Sequence, residues 1–440
     1  MQNEFYALAD AIQPCLRKDE QYLATFSGEA SNFARFNQSK VRQAMHVTQR
    51  YLSVRLIDGR RHITGQLSLS GDLAFDRQRV ESLVEALRDR IAELPEDPYL
   101  RFSTEVNSTE HIEPDCLPEA STAVDEVLAA AKGLDLVGIY AAGGIFHGFA
   151  SSLGQRNWFA SFSHNLDWSL YHSTDKAVKC GYAGFTWDSA ELARKMSEAR
   201  EQLGHLATPA RTIDPGGYRV YLTPVALEDI VGMMAWGGFG LKDHRTKQTP
   251  LIRMVEEGAT LHPSVSISEN TGEGVAANFQ AEGFLKPARV SLIEGGRYAE
   301  CLTSPRSAEE YDVPANGAAD DETPESLDMA AGELPQREVL ERLGTGLYIN
   351  NLHYLNFSDR TACRMTGMTR FATFWVENGR IVAPVNVMRF DETLYRVLGT
   401  SLLGLTRERE LILNPLTYGG RNTSSTRLPG ALIEGFTFTL

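Results

Sequence analysis

Apolar residues recur at helical spacing in "FDRQRVESLVEALRDRIAEL" (75–94), where Val80, Leu83, Leu87 and Ile91 share one face. "SAELARKMSEAREQLGHL" (189–206) repeats the pattern with Ser189 placed to cap it, and "AVDEVLAAAKG" (123–133) ends a third helix at a glycine. Between them the period changes to two. "RYLSVRLIDGRRHITGQLSLS" (50–70) reads as a hairpin about Asp58-Gly59, and "NWFASFSHNLDWSLYHS" (157–173) alternates in the same way. The second half is dominated by strand patterns: "VYLTP", "SVSIS", "RVSLIEGG", "GLYINNLHYL", "FATFWVENGRIVAPV" and "ALIEGFTFTL". Asn378-Gly379 sits between two apolar runs, the composition of a tight hairpin turn. One helix stands out there, "TPVALEDIVGMMAW" (223–236). Thr223 is its cap, Pro224 lies in its first turn, and Leu227, Ile230, Val231 and Met234 form its buried stripe.

These patterns predict an α+β chain. The stretch "ATPARTIDPGGYR" holds two prolines and a Gly-Gly pair, which marks a boundary. An N-terminal α+β domain is expected over 1–207, a linker over 208–218 and a β-rich domain over 219–440. Within the last, 309–333 carries nine acidic residues and no basic ones, with few large apolar groups. That composition predicts a mobile, solvated acidic loop.

Composition narrows the functional classes. A formal net charge of −14 repels phosphate backbones and anionic lipid, so neither nucleic acid nor a membrane surface is an expected partner. The five cysteines are scattered without a CxxC, as suits a reducing cytosol. No signal-peptide core opens the sequence and no 18-residue apolar run crosses it, so a cytoplasmic location is expected.

No familiar catalytic set is visible. The ten histidines form no HExxH, HExxxH or HxH, whereas zinc needs three or four converging ligands. There is no GxSxG elbow. Cys363 lies between Arg360 and Arg364, which could lower its pKa. Cys363 or His353 is a candidate member of a dispersed hydrolase set. Gly272-x-Gly274-x-x-Ala277 follows a strand, and Glu294 comes about 20 residues later, as in a dinucleotide fingerprint. Gly283 and Pro287 interrupt the helix that fingerprint requires.

Read in order, several segments resemble the TldD/TldE (PmbA) family. After the helix come "ISEN", Glu282-Gly283 with "ARVSLIEGGRYAECL", then "MAAGELPQREVLERLGTGLYINNL", "FWVENGRIVAPV" and the closing "LPGALIEGFTFTL". The first half fits through "RLIDGRRHITG" and "GFASSLGQRNW". The resemblance implies a zinc metallopeptidase system in the cytoplasm. One subunit type carries an HExxxH helix and a C-terminal ligand cysteine; the TldE type lacks them, and together they enclose an unfolded peptide. Set on that pattern, "MMAWGG" puts Met233 and Gly238 at the histidine positions and Met234 at the glutamate, while Gly419 falls at the cysteine. Methionine is a poor zinc ligand, and glycine offers no side chain to be one. The resemblance therefore implies a non-catalytic subunit that holds no metal itself, with zinc in a TldD-like partner. Gly237, Gly238, Asn350, Asn351 and His353 are its candidate substrate-cleft residues, with an extended peptide as ligand. Whether the chain pairs with itself when alone stays open, as do the self-sufficient hydrolase and nucleotide-binding readings.

Overall fold

The computed structural model describes residues 1–173 and 176–439. Two sheets organise it. The first contains β1 (Glu20–Asn37), β2 (Lys40–Asp58), β3 (Arg61–Ser68), β4 (Thr109–Ile112), β5 (Asp135–Ser151), β6 (Arg156–Ser173) and β7 (Lys176–Gly184). Their order is β3-β2-β1-β5-β6-β4, with β7 added on β6. Asp58-Gly59 turns β2 into β3 as expected, with Gly59 at φ +60°, a conformation that costs glycine nothing.

Side-chain alternation decides what each face of this sheet does. Tyr22, Ala24 and Phe26 of β1 pack with α1 (Gln2–Ile12) and α2 (Leu73–Ile91). Ala34 and Phe36, on the same face, pack with α3 (Ala120–Ala130) and α4 (Ser189–Leu206). The period of two sends Ser27, Glu29 and Ser31 to the other face. Their cross-strand partners on β5 are His147, Ile145 and Gly143. This second face is polar and yet partly covered: Ser31 is 0% and Glu29 4% exposed.

Helix ends follow the caps rather than the apolar period. The helix expected from 75 starts at Leu73 because Asp72 accepts from the Ala74 and Phe75 amides. At α4 the cap is Asp188, not Ser189; the Ser189 hydroxyl instead donates to Glu126 at 2.7 Å.

The second sheet contains β8 (Gly216–Leu222), β9 (Ile267–Glu269), β10 (Val290–Glu294), β11 (Arg297–Tyr298), β12 (Ser326–Met329), β13 (Gly346–Asp359), β14 (Arg364–Glu377), β15 (Arg380–Pro384), β16 (Arg389–Thr393), β17 (Leu402–Leu413) and β18 (Ser425–Phe438). Its order is β11-β10-β9-β12-β18-β16-β14-β13-β8, and β18 also pairs back onto β8. Five strands, β8, β13, β14, β16 and β18, thus close on themselves. Asn378 and Gly379 both take positive φ, as the tight turn between β14 and β15 requires. Helix α5 (Pro224–Ala235) packs on β13 and β18. Its predicted stripe is the buried one: Leu227, Ile230, Val231 and Met234 are all at most 2% exposed.

The halves share cores. Ala372 and Phe374 of β14 pack into the cluster formed with α3 and α4, and Ala277 and Phe279 pack against Leu23, Phe149 and Phe159. The expectation of a structureless acidic loop over 309–333 is corrected. A short helix, Pro305–Tyr311, enters the segment, and all four residues of β12 are buried between β9 and β18. Its acids are not all solvated: Glu322 is 4% exposed and accepts from the Ser304 and Lys242 amides at 2.8 and 2.9 Å. Charge counting treats every carboxylate as a solvated group; here one of them ties three chain segments together. Among the described residues, no helix is long and apolar enough to cross a membrane.

Candidate functional site

Where the two sheets meet, β7, β13, β17 and α5 surround a cleft. It consists of two hollows of about 660 and 600 Å³ that share the wall Lys179–Ala183. Residues of β13 and β17 supply the opposite wall. Asn350 spans the gap, its Nδ2 donating to the Lys179 carbonyl at 3.1 Å. Asn351, His353 and Met233 line the larger hollow. Three expected cleft residues, Asn350, Asn351 and His353, are therefore brought together with Met233, which was expected at a histidine position.

Gly237 and Gly238 are not part of that wall. Gly238 is buried, and a Cβ built on it would lie 2.0 Å from the Met234 carbonyl oxygen. Its own carbonyl accepts from His244 Nε2 at 2.9 Å and Thr249 Oγ1 at 3.1 Å. Glycine is needed there so that the chain can turn tightly off α5, not to leave room for substrate. Gly237 sits at φ +71° beneath Arg360, whose guanidinium donates to the Trp236 carbonyl at 2.9 Å. Met234 points into the core at 0% exposure. Gly419 lies elsewhere, on a loop over the polar face of the first sheet, where its carbonyl accepts from Gln49 at 2.8 Å.

The edge of β13 is also less open than its sequence suggests. Pairing with β8 stops at Ile349, but Thr223 takes over: its amide donates to the Ile349 carbonyl and its hydroxyl to the Asn350 carbonyl. The less occupied edges at the cleft are those of β7, paired with β6, and β17, paired with β18.

The electrostatics come from residues the sequence reading passed over. Glu228 and Asp229 on α5 face the larger hollow with Asp167 and Lys179. Burial, reinforced by the charge of Glu228, pushes Asp229 up to about 7, against the Leu352 amide and Lys179, which favour its ionised form. Burial raises Glu228 and Asp167 too, although Lys179 Nζ stands 3.6 Å from Asp167. His353 is lowered by desolvation and by the cations Arg370 and Lys179. The one thiol on the wall, Cys180, is pushed up to about 12 by burial and is no nucleophile near neutrality. A helical period would have found the acids: Asp229 lies one turn before Met233 on the same face.

A zinc centre does not fit these residues. Of the four positions that the resemblance sets on the metal-site pattern, only Met233 reaches the cleft, and it offers one thioether where three or four nitrogen, sulfur or oxygen donors must converge. Among the described residues, no group of three or more His, Cys, Asp and Glu side chains is placed to hold a metal. The two candidates for a dispersed hydrolase set lie in different surroundings. Cys363 is 0% exposed in the core and burial drives its thiol up to about 12, overriding Arg360, while His353 lies on the cleft wall. The nucleotide fingerprint lacks its helix: turns and bends follow Gly272–Ala277, and a Cβ on Gly274 would meet Ser326 Oγ at 2.0 Å.

Three solved structures share this fold over the whole chain. TldE from Thermococcus kodakarensis is 13% identical, with a TM-score of 0.79 and 100% coverage of both chains. A putative modulator of DNA gyrase from Thermotoga maritima is 15% identical, with a TM-score of 0.74 and 100% coverage of both. A putative modulator of DNA gyrase from Bacteroides thetaiotaomicron is 16% identical, with a TM-score of 0.74 and coverage of 99% of this chain and 98% of that one. No curated protein matches the chain in sequence. The model of the PmbA/TldA metallopeptidase C-terminal domain matches residues 215–440, just over half of the chain. That span holds α5, the closed ring of strands and one wall of the cleft, and on it the chain belongs to the PmbA/TldD metallopeptidase family.

Proposed function

We propose that this chain is the TldE-type, non-catalytic subunit of a two-subunit zinc metallopeptidase in the cytoplasm. A TldD-type partner bearing HExxxH supplies the zinc and the hydrolysis. This chain contributes a wall of the chamber and holds an extended peptide. One observation supports the reading: Met233, which the resemblance sets at a histidine position of the metal-binding helix, lines the cleft and brings no zinc ligand to it. No His, Asp or Glu occurs between 231 and 242 to replace it. The likeness to a protein named TldE agrees with this assignment.

The cleft suits a peptide held by its backbone. It is lined by the edges of β7 and β17, where an extended segment can add main-chain hydrogen bonds without a particular side-chain sequence. Asp229, raised to about 7, supplies either a donor or an acceptor to it near neutral pH. The test is co-purification with a chain carrying HExxxH, followed by metal analysis of each subunit. Zinc confined to the partner supports the proposal. About one tightly bound zinc per copy of this chain alone, in the ordinary four-coordinate chemistry, overturns it.

A further inference from the structure

Two paired strands of the second sheet each carry one residue more than their pairing uses. On β13, His353 pairs with Met368 but Asn356 with Thr366; on β14, Arg370 pairs with Asn351 but Thr373 with Ile349. The surplus falls at Tyr354-Leu355 and at Phe371-Ala372, as two bulges. Tyr354 and Phe371 both take φ +57°. Among the described residues, they are the only non-glycine residues inside a strand with positive φ. Glycine meets that conformation without strain, and a large aromatic residue does not.

Packing within the chain does not explain Tyr354. It is 78% exposed and meets only the His353 ring, edge-on with centroids 4.9 Å apart. Phe371 is half-buried, with the Arg370 guanidinium 5.6 Å from its ring. Bulges re-aim side chains, and both of these line the larger hollow of the cleft. Met233, Leu355 and Leu416 add apolar surface there, Leu416 being 68% exposed. The smaller hollow is of another kind, lined by charged groups such as Glu191, Arg194, Glu198 and Arg409. The carboxyls of the larger hollow, Asp167, Glu228 and Asp229, come from β6 and α5 rather than from β13 and β14. Rings and carboxyls therefore belong to different elements of its lining.

We infer that Tyr354 and Phe371 form a side-chain subsite of the cleft, which takes an aromatic, phenylalanine-like residue of the bound peptide. This rests on the reading that the chain holds an extended peptide. A strand added at the edge of β7 or β17 presents a side chain to the same side at every second residue. Main-chain bonds then hold the peptide, and one side-chain position selects it. Aromatic rings meet other rings edge-on or offset, which adds to the burial of their apolar surface. An occupant of this kind covers Tyr354, which the chain itself leaves in water. A lysine side chain would be drawn to Asp167, Glu228 and Asp229 instead, so a preference for lysine would place the determinant on β6 and α5.

The experiment is a fluorescence-anisotropy titration of the full chain with dye-labelled peptides Thr-Val-Thr-X-Thr-Val-Thr, where X is phenylalanine, leucine, alanine, lysine or glutamate. The phenylalanine peptide is expected to bind tightest, about tenfold or more above the alanine peptide. Tyr354→Gly removes the ring and relieves the backbone. It is expected to melt no lower than the wild type and to lose most of the preference for phenylalanine, with binding of the alanine peptide unchanged. Tyr354→Phe is expected to keep the preference. Phe371→Gly, at the same φ, stands in if the first variant fails to fold. If no peptide of the set binds, the peptide-holding reading fails and this inference with it. If the peptides bind alike, or the leucine or lysine peptide binds best, that reading stands and this inference alone is overturned. A preference for phenylalanine that survives either glycine substitution in a folded protein overturns it as well.

Discussion

Replacing Asp229 with asparagine removes a charge that the fold holds at a cost. Desolvation and the neighbouring Glu228 raise its pKa from 3.8 to about 7. The unfolded chain gives up this proton near pH 4, the folded chain only near 7, so ionisation favours unfolding across that interval. Stability contributed by the protonated group is full below about pH 4, falls as pH rises to about 7, and is constant beyond. A shift of about three units at roughly 1.4 kcal/mol each sets a ceiling of about 4 kcal/mol. Water entering the cleft screens the charge, which leaves roughly 1–3 kcal/mol. Asp229→Asn keeps an acceptor for the Leu352 amide while losing the charge. The variant is therefore expected to match the wild type near pH 4 and to exceed it in melting temperature at about pH 8, the gap opening between. Calorimetric or fluorescence melts across that range measure it. A gap that is the same at every pH, or that closes as pH rises, refutes the reasoning that burial in the cleft controls this carboxyl. Asp167, Lys179 and His353 face the same hollow, so repeating the series in Glu228→Gln isolates the direct partner.

Two further substitutions probe the surroundings of the cleft. Gly238→Val places a Cβ against the Met234 carbonyl, so it is expected to destabilise the chain by on the order of 1–3 kcal/mol or more, seen as lower melting temperature and yield; normal folding would return Gly238 to the substrate wall. Arg421→Met removes the guanidinium that pins the loop 419–423 to Gly143 and Ser163, so deuterium uptake in that loop should rise while the strands beneath stay protected; unchanged uptake would show that the loop is held by other contacts.

How far the sequence reached depends on how local each determinant was. Both tight hairpins were legible because Asp58-Gly59 and Asn378-Gly379 carry their own backbone preference. The stripe on α5 was legible because one helix face is enough to define it. What failed was non-local. Ser27, Glu29 and Ser31 alternate like a solvent-facing strand edge, and nothing near them in sequence tells that the loop 419–423 covers them. The acidic run at 309–333 hid Leu327 and Met329, whose burial depends on β9 and β18. At the cleft, the family pattern singles out Gly238, whereas the acid on the wall is Asp229, one turn before Met233. Gly238 proved to be a packing glycine, and its need shows only once the Met234 carbonyl is placed against it.

The central claim is a division of labour: this chain shapes the cleft and another subunit cuts. It is tested most directly by peptidase activity on an unfolded peptide, measured for the isolated chain, for an HExxxH-bearing partner, and for the mixture. The mixture is then repeated with the partner's HExxxH glutamate replaced by glutamine. The account predicts no cleavage by this chain alone, cleavage by the intact mixture, and none when the partner's glutamate is changed. Cleavage by this chain alone, or cleavage that persists in the mixture with the altered partner, would contradict it.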